Sequence, residues 1–138
     1  MEIQVGIPTI IEGVVEFGEN IDGAIDFYER SFAVNSDDVN ILNNIGKLHW
    51  KNDKLNDAAI AFERAIEIDP YCKTSVLNIS SLMLRLGNNQ GALRKCNDFI
   101  KLKPDCVDVQ LMKGKIFIAM KNFSEGEKIF EKACKILP

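Results

Sequence analysis

Residues 39–72, VNILNNIGKLHWKNDKLNDAAIAFERAIEIDPYC, contain two amphipathic segments joined by a short polar turn. The side chains that follow an i, i+3, i+4, i+7 spacing are Leu42, Ile45 and His49 in the first segment and Leu55, Ala58, Ala59, Phe62, Ala65 and Ile66 in the second. This spacing is typical of helices with one buried face. Asn52-Asp53 indicates a turn between the segments, and Pro70 indicates the end of the second helix. The stretch therefore predicts a helical hairpin.

The pattern of this hairpin recurs every 34 residues along the chain. Positions that line up at this interval are Pro70, Pro104 and Pro138, then Ala24, Ala58, Ala92 and Gly126, then Tyr28, Phe62, Cys96 and Phe130. A fixed period of this length indicates a solenoid, in which each unit buries its apolar face against its neighbours. The predicted fold is all-α: one right-handed α-solenoid over residues 1–138, built from about four hairpins. Its units are 5–38, 39–72, 73–106 and 107–138.

Eight helices are expected from this arrangement, two in each unit. The predicted spans are 8–17, 21–34, 39–51, 55–68, 73–86, 89–102, 107–120 and 123–136. Pro8 suits the first turn of a helix. Gly13 and Gly23 each weaken the helix that contains them. The first unit is therefore expected to be the least stable.

Composition excludes several classes of function. The 138 residues carry 17 basic and 20 acidic side chains, a net charge of −3, which gives no reason to expect nucleic acid as a partner. No apolar run approaches the ~18 residues of a membrane span, so no membrane insertion is expected. The N-terminus lacks the basic region of a signal peptide. With 46% apolar residues the chain can bury a core.

The cysteines and the single histidine do not form a recognisable site. Cys72, Cys96, Cys106 and Cys134 contain no CxxC pair, so we expect unpaired thiols, no metal and a cytoplasmic location. His49 replaces an aromatic residue and is expected to pack between the helices of its unit. No second histidine, glycine-rich phosphate loop or nucleophile motif is present, so we expect neither an enzyme nor a cofactor.

The repeat resembles the tetratricopeptide repeat, whose pattern is a large residue, a second large residue followed by glycine, then aromatic, alanine, aromatic, alanine and proline. Residues 39–72 match it at Leu42, Ile45, Gly46, Ala58, Phe62, Ala65 and Pro70. The later units depart from it at Ser80, Met83, Cys96 and Phe99 and at Gln110, Lys113 and Gly126. The first unit has lost the small-residue signature in its leading half, and Ser36 replaces its proline.

The resemblance implies a protein–protein interaction scaffold without catalytic activity. In this family the leading helices line a concave groove that holds a peptide segment of a partner. The positions that match groove contacts are Asn43, Asn44, Lys47, Trp50, Lys51, Leu77, Asn78, Ser81, Arg85, Met112 and Lys115. Asn44 and Asn78 occupy the register that hydrogen-bonds a ligand backbone, although asparagine also tolerates an exposed helix face. Trp50 is a candidate anchor or packs against the adjoining unit.

The charge of these positions favours an acidic peptide, because Lys47, Lys51, Arg85 and Lys115 are more basic than the chain as a whole. Some family members grip the C-terminal carboxylate of Hsp70 or Hsp90 with a clamp of lysine, asparagine, asparagine, lysine and arginine. The matching positions here are Thr9, Gly13, Asn44, Thr74 and Asn78 in one register and Asn43, Lys47, Asn78, Asp108 and Met112 in the other. Neither register ends in a basic pair, so this mechanism is disfavoured.

The C-terminal unit supports an alternative function. Its last helix is expected to expose an apolar patch formed by Phe123, Ile129, Phe130, Ala133 and Ile136. A contiguous exposed patch of this kind usually marks an interface. The alternative is therefore a structural unit that forms a homo-oligomer, or part of a longer array, through this terminal repeat.

Overall fold

The computed structural model describes residues 9–11, 14–16 and 20–136. This part of the chain contains seven α-helices: α1 Ile21–Val34, α2 Val39–Lys51, α3 Leu55–Ile68, α4 Lys73–Arg85, α5 Asn89–Leu102, α6 Val107–Ala119 and α7 Phe123–Ile136. The sequence-based spans for these seven helices agree to within one residue at each end. The helical periodicity therefore predicted both the number of these helices and their bounds.

The N-terminal prediction was wrong. Strands β1 Thr9–Ile11 and β2 Val14–Glu16 occupy the stretch expected to form a helix over 8–17, and they pair antiparallel with Ile11 opposite Val14. β-Branched residues fill most of these strands, and such side chains lose rotamer freedom in a helix but pack well in a pleated sheet. Among the described residues of the repeat unit predicted over 5–38, the strand pair is thus followed by α1 alone. Seven described helices replace the expected eight, and Pro8, Gly13 and Pro138 lie outside the described residues.

The chain divides into two compact units, Met1–Ile68 and Asp69–Pro138. The predicted single array over residues 1–138 stays a prediction. In the first unit, α2 packs against both α1 and α3. The buried core of this unit includes Ala24, Ile25, Tyr28, Phe32, Leu42, Ile45, Leu48, Ala61 and Ala65.

The second unit contains two hairpins, α4–α5 and α6–α7. Helix α6 packs against both α4 and α5, so the leading helices of the two hairpins are neighbours. Its buried apolar residues are Val76, Ile79, Leu82, Ala92, Cys96, Phe99, Val109, Ile116 and Ala133. Lys73 at the start of α4 also forms a 2.6 Å ion pair with Asp108 at the start of α6.

Each hairpin brings its two helices together at one pair of facing residues. In α2–α3, Gly46 faces the fully buried ring of Phe62, and a Cβ added to Gly46 would lie 2.7 Å from Phe62 Cδ1. In α6–α7, a Cβ on Gly114 would lie 2.9 Å from Phe130 Cζ. The α4–α5 hairpin instead places Ser80 against Cys96. Small residues therefore set the approach of the helices.

The turn inside each hairpin has one left-handed residue at the same position. Asp53 has a φ of 60°, Gly87 of 83° and Lys121 of 62°. The next residue in each turn donates its backbone N–H to a carbonyl five residues earlier, for example Lys54 N to His49 O at 2.8 Å. These bonds cap the carbonyl ends of α2, α4 and α6. The turn predicted at Asn52-Asp53 is confirmed.

Candidate peptide-binding surfaces

Helix α2 supplies the predicted binding residues of the first unit. The Asp38 side chain begins this helix by accepting hydrogen bonds from the backbone N–H groups of Asn40 at 2.9 Å and Ile41 at 3.3 Å. The helix then buries the apolar face that includes Leu42, Ile45 and Leu48. Lys47 and Lys51 are exposed, as the binding prediction requires.

The remaining α2 candidates differ in accessibility. Trp50 is half-buried, and its ring meets the ring of Phe62 edge to face with 6.4 Å between centroids. Part of Trp50 therefore packs within its own hairpin, on Phe62, while another part stays accessible. Asn44 is also half-buried. Asn43 is only 3% exposed, which leaves little of its side chain for a ligand in this structure.

Helices α4 and α6 carry the predicted binding residues of the second unit. Leu77, Asn78, Ser81 and Met112 are half-buried. Arg85 and Lys115 are exposed. Because α4 and α6 are neighbours, the structure brings these six residues onto two adjacent helices. The Asp108 carboxylate accepts a hydrogen bond from Lys73 and thereby raises the pKa of the lysine.

The exposed cations on these surfaces are not held in ion pairs. Lys47, Lys51, Arg85 and Lys115 have no ion-pair partner among residues 20–136. Other exposed charges on the protein do pair, such as Arg30 with Asp26 at 3.1 Å. The two groups of cations therefore leave positive charge available to a ligand.

None of the four cysteines forms a disulfide, as the sequence predicted. Cys72 and Cys106 lie immediately before α4 and α6, where their side chains make no capping hydrogen bond. Cys96 is fully buried, and this burial raises the pKa of its thiol. The described residues contain no group of three potential metal ligands. None of the described helices combines the length and apolar character of a membrane span.

An open apolar cavity of about 730 Å³ lies at the C-terminal hairpin. Phe123 of α7 is 62% exposed and Ile118 of α6 is 41% exposed, while Phe130 is half-buried. Of the five residues in the predicted apolar patch, Phe123 and Ile136 are exposed, Ile129 and Phe130 are half-buried, and Ala133 is buried. Ile118, which also lines this cavity, lies outside the predicted patch. The apolar run Ile116–Ala119 was the signal that α6 has more than one apolar face.

A second hollow, of about 320 Å³, is lined by residues of α1, α2 and α3 in the first unit. The half-buried His49 belongs to its lining, and His49 Nδ1 is buried without a hydrogen-bond partner in the described structure. Sequence reasoning missed this hollow. The one available signal was His49 itself, a polar residue where the repeat pattern has an aromatic.

The hairpins have equal length, small residues at their crossings and accessible polar faces on their leading helices. These features define a helical-repeat protein of the α-solenoid class. Family models described as tetratricopeptide repeat match residues 39–72 and 107–138. The chain belongs to the tetratricopeptide repeat family. This fold supports a protein–protein interaction module, and proteins built from these repeats are generally non-catalytic scaffolds.

Relatives agree with this assignment. A protein described as STIP1 homolog from Dictyostelium discoideum is 33% identical over 95 residues, which cover 69% of this chain. The match spans only 17% of the length of that relative. The crystal structure of MamA matches with a TM-score of 0.71 and 21% identity, over 86% of this chain and 70% of MamA. The first repeat domain of Spaghetti (RPAP3), bound to the HSP90 peptide SRMEEVD, matches with a TM-score of 0.64 and 22% identity. The match covers 72% of this chain and 79% of that domain.

Proposed function

We propose that this protein is a non-catalytic scaffold that binds an acidic segment of a partner protein along its leading helices. The observation that supports this function best is the set of exposed, unpaired cations on α2, α4 and α6. Lys47 and Lys51 belong to the first unit, and Arg85 and Lys115 to the second. Uncompensated charge near an accessible aromatic residue steers an oppositely charged ligand and then holds it.

Side chains beside the cations supply the remaining contacts of the proposed surfaces. Asn44 and Asn78 each offer a donor and an acceptor for the backbone of an extended ligand. Trp50 offers the accessible part of its ring, and Met112 a flexible apolar contact that adapts to irregular partners. The lack of disulfides among the four cysteines supports a cytoplasmic location.

The proposed binding mode differs from a carboxylate clamp. The HSP90 peptide bound to the RPAP3 domain ends in the acidic sequence EEVD. In this chain the last two clamp positions are Thr74 and Asn78 in one register, and Asp108 and Met112 in the other. Asp108 already pairs with Lys73. We therefore expect recognition of acidic side chains rather than of a free C-terminus.

Trp50 provides a direct test, because it is the only tryptophan in the chain. Peptides of equal length with acidic, neutral and basic composition are titrated while Trp50 emission is followed. Acidic peptides should give a saturable change that weakens as salt is raised. The Lys47→Gln/Lys51→Gln variant should bind several-fold more weakly, since exposed ion pairs contribute up to about 1 kcal/mol each.

A matched control is Lys101→Gln/Lys132→Gln, which removes two exposed lysines from α5 and α7. It should bind like the unaltered protein. Asn44→Ala with Asn78→Ala should weaken every peptide alike, because backbone contacts do not depend on the ligand's sequence. The proposal would be contradicted if acidic and basic peptides bound equally well. It would also be contradicted if the control variant lost as much affinity for acidic peptides as Lys47→Gln/Lys51→Gln.

The apolar cavity at the C-terminal hairpin favours a second candidate function, self-association. Phe123 and Ile136 are both exposed, so polar replacements there leave the core intact. If the protein pairs through this patch, Phe123→Ser/Ile136→Ser should shift light-scattering mass toward the monomer. The Lys47→Gln/Lys51→Gln variant should keep the parent mass. A monomer at high concentration in the unaltered protein would exclude this candidate.

A further inference from the structure

The hollow lined by α1, α2 and α3, termed the α1–α3 hollow below, combines an apolar floor with a charged rim. Phe32, Leu42 and Ile45 are each no more than 8% exposed and form its floor. Ile60 of α3 lies at its edge and is 65% exposed, which is unusual for so large an apolar side chain. The accessible apolar surface therefore continues from the floor to the edge of the hollow.

Two carboxylates that line the hollow form no ion pair within the described structure. Glu29 belongs to α1 and Asp57 to α3, and both are exposed. Neither has an ion-pair partner among the described residues. The nearby Arg30 is already paired with Asp26 at 3.1 Å. The Arg64 guanidinium lies 4.6 Å from the centroid of the Phe32 ring rather than against a carboxylate.

In the last repeat, the carboxylate at the position equivalent to Asp57 is neutralised by an ion pair. Two repeats after Asp57 stands Glu125, whose carboxylate pairs with Lys128 at 3.3 Å. The residue equivalent to Lys128 in the first unit is Ile60, so Asp57 lacks the cation that its counterpart has. With histidine neutral, the hollow carries two negative charges and one positive charge. Its net charge is therefore negative.

We propose that the α1–α3 hollow binds the side chain of a basic residue, arginine or lysine, presented by another protein. Such a side chain has an apolar stem that packs on Phe32 and Ile45, and a cationic head that meets Glu29 and Asp57. A volume of about 320 Å³ lies at the lower end of the range for small-ligand sites, which suits one side chain. This site is separate from the acidic-peptide surfaces proposed above and does not depend on them.

The test uses the full chain and a blocked amino acid as probe. N-acetyl-L-arginine amide is titrated into ¹⁵N-labelled protein, and amide shifts near Glu29, Asp57 and Ile60 are followed. N-acetyl-L-citrulline amide has nearly the same shape without the charge. The arginine probe should shift these amides and bind at least about fivefold more tightly than the citrulline probe. Equal binding of the two probes, or shifts confined to other regions, would overturn the proposal.

Conservative variants identify the groups that bind the cation. Glu29→Gln and Asp57→Asn should each weaken the arginine probe about fivefold, because each removes one exposed opposite charge. Arg64→Gln should strengthen it, since a like charge is removed. Weaker binding of the arginine probe in Arg64→Gln would show that Arg64 does not act as a repelling like charge at this site, and would overturn the proposal.

Two further variants serve as controls. Glu127→Gln removes an exposed carboxylate from α7 and should not alter the affinity for the arginine probe. Lys47→Gln, which weakens acidic peptides under the proposed function, should likewise leave this probe unaffected. The two proposals can therefore fail independently. An equal loss of the arginine probe in Glu29→Gln and Glu127→Gln would indicate nonspecific attraction and contradict the assigned site.

Discussion

The first and second helical hairpins cross at equivalent positions but fill the crossing with different side chains. In α2–α3 the pair is Gly46 and Phe62, so a residue without a side chain faces an aromatic ring. In α4–α5 the pair is Ser80 and Cys96, two small side chains whose Oγ and Sγ atoms lie 3.5 Å apart. Phe62, Ser80 and Cys96 are all fully buried.

This comparison explains two apparent departures from the repeat pattern. Taken separately, a serine at the glycine position and a cysteine at the aromatic position both weaken the match. Together they move volume across one contact, so that the larger side chain at Ser80 partly offsets the smaller one at Cys96. The two departures therefore form one partly compensated pair. Whether such a repeat matches the family pattern is better judged from pairs of facing residues than from single positions.

The largest expected effect comes from adding one carbon at the first crossing. Gly46→Ala places a Cβ 2.7 Å from Phe62 Cδ1, and Phe62 is fully buried and has no room to withdraw. We expect a loss of about 3 kcal/mol in the free energy of unfolding, measured by urea denaturation. Helix propensity alone predicts a gain of about 1 kcal/mol for glycine to alanine, so a stabilised variant would refute the steric argument.

The second prediction tests whether Ser80 and Cys96 compensate each other. Cys96→Phe alone should cost about 2 to 3 kcal/mol, because the ring meets the Ser80 side chain. Ser80→Gly alone should cost about 1 kcal/mol through lost helix propensity. The double variant recreates the Gly46–Phe62 arrangement and should be at least about 1 kcal/mol more stable than the sum of the single effects. Strict additivity in a double-mutant cycle would show that the two positions are independent.

A smaller effect is expected at the third crossing. Gly114→Ala places a Cβ 2.9 Å from Phe130 Cζ, but Phe130 is half-buried and borders the open C-terminal cavity. The ring can therefore move toward solvent, and we expect a net loss of about 1 kcal/mol or less in the same denaturation assay. A loss as large as that of Gly46→Ala would mean that Phe130 is held as firmly as Phe62.

The smallest expected effect concerns the reactivity of two thiols, Cys96 and Cys134. It involves no change in the free energy of unfolding. Burial raises the pKa of Cys96, which lowers its thiolate fraction at neutral pH, whereas Cys134 is exposed. Under native conditions Cys134 should react rapidly with a chromogenic disulfide reagent, and Cys96 only on unfolding. Comparison with Cys134→Ser assigns the rapid phase. Rapid labelling of Cys96 would show that the second crossing is less tightly closed than the first.

The sequence predicted the helices because a 34-residue period and helical spacing reinforce one another over most of the chain. It failed over Thr9–Glu16, where the repeat register was extended onto a run of β-branched residues. Local preference decided the structure there. The sequence did contain a signal for a β-hairpin: two runs of β-branched residues are separated by only two residues, the second of which is Gly13.

Surface positions were predictable to a lesser degree than the helices. The resemblance to the repeat family implied accessible positions at Lys47, Lys51, Arg85 and Lys115, and all four are exposed. It could not show that Asn43 is buried, since that depends on what packs against α2. The α1–α3 hollow was equally invisible, because it is lined from three helices and depends on how closely they approach. Distances between elements do not follow from spacing within each element.

The turns inside the three hairpins offer a route to a more heat-resistant protein. Gly87 adopts its left-handed backbone without penalty, whereas Asp53 and Lys121 hold the same conformation with a side chain attached. Replacing either by glycine should raise stability by about 0.5 kcal/mol, after the added freedom of the unfolded chain is subtracted. The gain should be greater at Lys121, because aspartate tolerates this conformation better than lysine. Both side chains point to solvent, so an engineer could change them without touching any ligand contact proposed above.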